Sequence, residues 1–228
     1  RFGKALSFDG IGGYVEVSDD VTLDITSQIT IEAWIKPVAV DGYRTIVSKR
    51  YSNFANYALR LNGGKIEFYY SGPSATGSVT DWDAWSTTSA VITSGSWYHV
   101  AVACSFTSDP VVYVNGAPVA AGWTYGSAEL AASNIYALRI GAAFTPVAPQ
   151  WFKGTIDEVR ISKTVRTSFD LAVPPSVDAN TVGLWHFDEG SGQTASDATA
   201  TNNGRLGSTT SSDVNDPAWV TMPTWVPG

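Results

Sequence analysis

"QITIEAWIKP", residues 28–37, alternates strictly, with Ile29, Ile31, Ala33 and Ile35 on one side and Glu32 and Lys36 on the other. A repeat of two belongs to an extended strand with one face buried; an amphipathic helix would repeat its apolar residues every three to four positions. The same pattern continues in both directions. "KALSFDG" and "GYVEVS" read as strands at 4–9 and 13–18, followed by "RTIVSKR", "NYALRL" and "KIEFYY". Further on come "WYHVAVACSF" at 97–106, "VVYVNGAPVA" at 111–120, "YALRIGA", "FKGTIDEVRIS", "TVGLWHF" and "NGRLG". Asn62-Gly63-Gly64 and Asn115-Gly116 suit the positive φ angles of two-residue hairpin turns. No segment carries a helical stripe, and "SKTVRTSFDL" after Ile161 forms one short turn at most. Short strands with a turn signal every eight to twelve residues predict an all-β, antiparallel two-sheet sandwich or jelly roll.

Composition agrees. Of 228 residues only 15% are charged, while 12% are aromatic and 44% apolar, enough to build a core and too apolar for disorder. A net charge of −7 with no basic run repels a phosphate backbone and excludes a nucleic-acid partner. No run of eighteen apolar residues predicts a membrane span. The acidic, lysine-poor balance suits a secreted or cell-surface protein whose carboxylates could hold a hard cation. Cys104 is a lone cysteine, so disulfide stapling is excluded and a small buried residue expected.

In order along the chain, "ALSFDGIGGYVEV", "ITIEAWIKP", "TIVSKR", "YALRLNGGKIEF", "GSWYHVAVACSF…VVYVNGAPV", "LRIGA" and "FKGTIDEVRIS" resemble laminin G-like, concanavalin A-like jelly-roll domains of bacterial and archaeal surface proteins and polysaccharide-degrading enzymes. The resemblance covers residues 4 to about 162. It implies two packed antiparallel sheets, often a bound calcium ion, and binding or adhesion rather than catalysis. In such domains a phrase like "GLWHFDEGSG…D…NNG" stands before "GKALSFDG"; here it stands at 183–206, near the other end. One laminin G-like domain is therefore expected over 1–228, with a main sandwich at 1–165, a linker at 166–180 around Pro174-Pro175, and a returning C-terminal strand segment at 181–228. "GLWHF" should lie beside the "ALSFDG" or "IDEVRI" strand with Trp185 buried. The alternative is a segment that opens a further repeat.

Regular alternation groups Asp157 with Val159 and Ile161, and a carboxylate buried on such a face needs a cation or donors. By resemblance, Asp157 joins Asp9 at a structural Ca²⁺, with carbonyls of Gly12 or Gly13 completing the oxygen set. A second possible metal site comprises Asp188, Asp197 and Asn202, although Asp and Asn that cap their own turn explain that stretch equally well. Trp34, Trp97 and Trp185 sit in regular strands and read as core. Trp82, Trp85, Trp123, Tyr125 and Trp151 fall in apparent loops, where exposed rings could stack on sugars. His99, His186 and the glutamates stand isolated in sequence. No G-x-S-x-G occurs, and the Glu-x-Asp-x-x-Glu cluster of jelly-roll glucanases is lacking. The expectation is a non-catalytic carbohydrate-binding or adhesion module with polysaccharide or glycan ligands. The alternative is a structural repeat subunit of a surface layer or filament that assembles with neighbouring copies by strand addition.

Overall fold

The computed structural model describes residues 3–73, 82–144 and 150–222. In chain order the strands are β1 (Lys4–Asp9), β2 (Val15–Val17), β3 (Ile29–Pro37), β4 (Tyr43–Tyr51), β5 (Phe54–Asn62), β6 (Lys65–Tyr70), β7 (Asp83–Thr87), β8 (Tyr98–Cys104), β9 (Val111–Val114) and β10 (Ala117–Val119). They continue with β11 (Ala121–Tyr125), β12 (Leu138–Ile140), β13 (Ala142–Ala143), β14 (Gln150–Trp151), β15 (Lys153–Ser162), β16 (Thr181–Trp185), β17 (Thr194–Ala195), β18 (Gly204–Leu206) and β19 (Ala218–Thr221). One 3₁₀ turn, Val21–Leu23, is capped by the Asp20 side chain on Thr22 N–H.

Two antiparallel sheets carry the fold. The eight-stranded sheet runs β10-β9-β8-β3-β15-β1-β19, with β16 also paired to β15. The nine-stranded sheet runs β11-β7-β6-β5-β4-β12-β2-β18-β17. Alternation sets what each buries. Ile31, Ile35, Val100, Val102 and Ile156 of the first meet Tyr57, Leu59, Leu61, Phe68, Leu138 and Ile140 of the second in one core. Burial of these side chains is the main driving force for the sandwich. The hairpin turns carry the expected chemistry: Gly63 and Gly64 have φ of 60° and 79°, and Asn115 and Gly116 have 50° and 78°. Cys104 is free and buried in the core, and burial pushes its thiol up to about 12.

The central strand β15 departs from regular alternation. Ile156 pairs with Ile35 and Asp157 with Trp34, but the next aligned pair is Arg160 with Glu32. The extra residue is Glu158, with φ of 51°, and it forms a bulge. Ile156, Val159 and Ile161 can then all enter the core. Asp157 faces the other way, beside Trp34, and not with Val159 and Ile161 as regular alternation would have it.

The bulge also divides the strand's second edge. β1 pairs residues 153–156, and β16 pairs residues 159–162. Trp185 is opposite Val159, is fully buried, and donates its Nε1–H to Asn202 O at 3.0 Å. Beyond β16 the chain contributes β17 and β18 to the nine-stranded sheet and β19 to the outer edge of β1. Residues 163–180 do not hang free. Arg166 N–H donates to Thr30 Oγ1 at 2.9 Å, and Phe169 packs its ring 5.1 Å from those of His99 and Tyr113. Arg166 also pairs with Asp178 at 2.8 Å, so this segment straps the outer face of the eight-stranded sheet.

Candidate functional site

On the nine-stranded sheet, residues that alternate with the core point to the opposite, outer face. Neighbouring strands there bring together Arg50, Arg60, Glu67 and Tyr69, with Ala55, Ala58 and Ala84 as a floor of small side chains under Tyr69 and Trp82. The Arg60 guanidinium lies between two rings, 3.8 Å from the centroid of Tyr43 and 4.4 Å from that of Tyr69. Its Nε–H donates to Glu67 Oε1 at 2.7 Å, Nη1 donates to Gln150 Oε1 at 3.0 Å, and Asn62 Nδ2 holds the other Glu67 oxygen at 3.1 Å. Arg50 sits 4.9 Å above the same Tyr69 ring and donates to Ser52 O at 2.8 Å and to the Tyr69 hydroxyl. Burial raises the Tyr69 pKa, and the two guanidiniums act against it.

Next to this group Trp82 stacks on Tyr125, with ring centroids 5.2 Å apart and planes 22° apart, and meets Tyr69 edge-on at 6.2 Å. Tyr43 and Tyr125 are 44% and 45% exposed, so a row of rings and guanidiniums lies between two accessible aromatic side chains. Planar faces flanked by fixed hydrogen-bonding groups are the chemistry with which proteins hold sugar rings.

Of the five aromatic candidates, the structure places Trp82 and Tyr125 in this row. Trp85 and Trp123 are elsewhere. They pair across β7 and β11 with ring centroids 5.1 Å apart, Trp85 is buried in the core, and Trp123 packs on the core with Nε1–H donating to Asp109 at 2.8 Å. Both are strand residues rather than loop residues, and alternation turns them inward. Trp151 packs against Phe144 and Tyr14 at 5.2 and 6.0 Å and closes the small β13–β14 sheet.

The carboxylates do not assemble as expected. Asp9 is opposite Lys153, four residues along β15 from Asp157, a separation of about 13 Å at the usual strand rise. Asp9 Oδ1 accepts the N–H groups of Ile11, Gly12 and Gly13 at 2.8, 3.0 and 3.2 Å. These donors outweigh partial burial and lower its pKa, so the aspartate pins its own turn with the amides, not the carbonyls, of Gly12 and Gly13. Asp197 is saturated likewise: Oδ1 accepts from Leu184 and Thr199 N–H, and Oδ2 from Thr201 and Asn202 N–H. Asn202 Nδ2 binds Val182 O, and Asp188 is engaged with Lys4 N–H at 2.8 Å. Asp9 Oδ1 and both Asp197 oxygens are thus engaged by N–H donors in this structure. Among the described residues no three His, Cys, Asp or Glu side chains converge as metal ligands.

Sequence separation concealed a second polar cluster. Glu32, His99, Glu158, Arg160 and His186 are dispersed along the chain but meet on the outer face of the eight-stranded sheet. Glu32 takes Arg160 Nε–H at 2.6 Å on one oxygen and His99 Nε2 at 3.0 Å on the other. Burial would raise the Glu32 carboxyl, but His99 and Arg160 outweigh it and hold it low. Burial raises Glu158, only partly offset by His186 Nδ1 at 2.5 Å, and His186 is raised in return by that contact. Polar residues at outward positions of adjacent strands were the available signal.

Solved structures similar to this one share its fold. A protein from Bacteroides ovatus ATCC 8483, named as a proposed carbohydrate-binding protein, superposes with a TM-score of 0.65 at 21% identity over 96% of this chain and 60% of its own. Domains LG4-5 of the mouse laminin alpha1 chain give 0.52 at 16% identity over 77% of this chain and 44% of theirs. The CBM40 of a Ruminococcus gnavus IT-sialidase, bound to alpha2,3 sialyllactose, gives 0.54 at 14% identity over 71% of this chain and 91% of its own. The chain thus spans 60% of the Bacteroides protein's length. No curated protein matches the sequence. Residues 9–172 match the family model Laminin_G_3, described as the concanavalin A-like lectin/glucanases superfamily, and the chain belongs to that family.

Proposed function

We propose that this chain is a non-catalytic carbohydrate-binding module that takes glycan ligands on the outer face of its nine-stranded sheet. The observation that carries the reading is the stacked pair Trp82–Tyr125, continued by Tyr69 and by Arg60 between its two tyrosines. Ring faces bind the C–H surface of a sugar, and Gln150, Glu67 and the guanidiniums present hydrogen bonds to hydroxyls. In that row Glu67 is engaged by Arg60 and Asn62, and the sequence lacks the Glu-x-Asp-x-x-Glu pattern of jelly-roll glucanases. Similar folds in proteins named for carbohydrate binding support the reading. A secreted or cell-surface location fits a glycan ligand, and no helix among the described residues is long and apolar enough to cross a membrane. Assembly by strand addition is the weaker reading, because β16 and β19 of the same chain occupy the edges of β15 and β1.

Glycan-array screening followed by calorimetry tests this. A polysaccharide ligand should bind without product release, and Trp82→Ala and Tyr125→Ala should each weaken it roughly tenfold or more. A bound glycan whose affinity neither substitution alters would reject this face as the site.

A further inference from the structure

The outer face of the eight-stranded sheet contains a cavity of about 240 Å³ between the sheet and the strap at residues 173–176. Its polar lining includes two half-satisfied side chains. Glu158, 1% exposed, spends Oε2 on His186, while Oε1 has no hydrogen-bond partner among the described residues. His99, 3% exposed, spends Nε2 on Glu32, while Nδ1 likewise has none. Unpartnered buried polar atoms are costly and rare in folded proteins, and here two belong to residues that line one cavity. The backbone is also strained at this place, since Glu158 holds φ of 51° in the β15 bulge, and such strain gathers at binding sites.

We propose that this cavity is a second binding site, separate from the aromatic row on the opposite sheet, for a neutral polyhydroxyl molecule the size of one monosaccharide. Three properties select that ligand. The spare Glu158 oxygen accepts hydrogen bonds, and with Nε2–H of His99 spent on Glu32 the spare Nδ1 is an acceptor too, so neighbouring hydroxyls can donate to both. In the lining the carboxyls of Glu32, Glu158 and Asp170 outnumber the basic groups Arg160 and His99, which disfavours an anion, and the guanidinium opposes a metal ion. Trp34, Pro174 and Pro175 supply apolar walls for the C–H face of a ring. The volume is below the several hundred Å³ usual for larger ligands, which limits the occupant to a single unit.

Saturation-transfer NMR on the full chain, with D-glucose, D-galactose, L-arabinose and glycerol offered separately at millimolar concentration, tests the proposal. At least one should show transfer. Val173 is 52% exposed at the cavity mouth, so Val173→Trp should abolish the signal without changing the melting temperature. Glu158→Gln should weaken binding roughly tenfold through the changed acceptor. His99→Phe serves as a further probe if either variant fails to fold. The comparison is made in a Trp82→Ala background, which weakens the aromatic row on the other sheet, so that transfer lost on adding Val173→Trp belongs to this cavity. No transfer from any of the four compounds, or equal transfer in Val173→Trp, would overturn it and mean that the cavity holds only water.

Discussion

Gly183 stands two residues before Trp185 on the same side of β16, and a Cβ there would be 2.4 Å from the indole ring. The ring cannot retreat, because it is fully buried and its Nε1–H is fixed on Asn202 O. Gly183→Ala should therefore destabilise the chain by about 1–3 kcal/mol, the usual cost of overpacking, as a lower urea midpoint with an unchanged slope. Trp185 itself was legible as a strand tryptophan destined for the core. Glu158 was not: positive φ is announced by Gly or Asn, and a glutamate forced into it leaves no mark in the sequence. That single residue is why regular alternation misassigned Asp157. Trp85 and Trp123 were misread for a related reason, since their strands are too short and irregular for alternation to reveal.

Among elements, the hairpins and long strands could be read directly because turn chemistry and period are local. The strap could not, because Pro174-Pro175 and the polar residues around it have the composition of a tether. What holds it down is a set of long-range contacts, Arg166 to Thr30 and Asp178, and Arg160 Nη1 to Ser176 O at 3.2 Å. Arg166 holds the Asp178 carboxyl at about 2. An unfolded aspartate titrates near 3.9, so the folded value is depressed. The clamp's contribution is therefore present above about pH 4 and is lost as pH falls through about 2. In thermal unfolding, wild type should exceed Asp178→Asn at pH 5 by a margin that closes toward pH 2. A margin that stays constant over that range would show that this pair does not titrate with folding. The candidate site was legible only in part for the same reason as the strap: Trp82 and Tyr125 drew notice as aromatics, whereas Tyr43, Arg60 and Tyr69 looked like ordinary strand residues until register placed them side by side.

For the whole molecule, the C-terminal segment is distributed over both sheets, with β16 and β19 in one and β17 and β18 in the other. A chain ending at residue 173 would expose the edges of β1 and β2 and part of β15, and would leave the core without Trp185, Phe187 and Leu206. It should unfold or associate through the open edges, detected by light scattering and circular dichroism. A monomer of unaltered stability would show that residues 174–228 form no part of the fold's support. The pairing of β1 with β19 also has a mechanical consequence. Lys4 is opposite Thr221, and Met222 N–H reaches Gly3 O at 3.0 Å, so the chain enters and leaves the sandwich at neighbouring points. Tension applied through those points loads the ladder one pair at a time from its open end, as a zipper is drawn, rather than shearing all its bonds at once. Under pulling, β19 yields first and at low force, paying out slack while β1 is still held against β15.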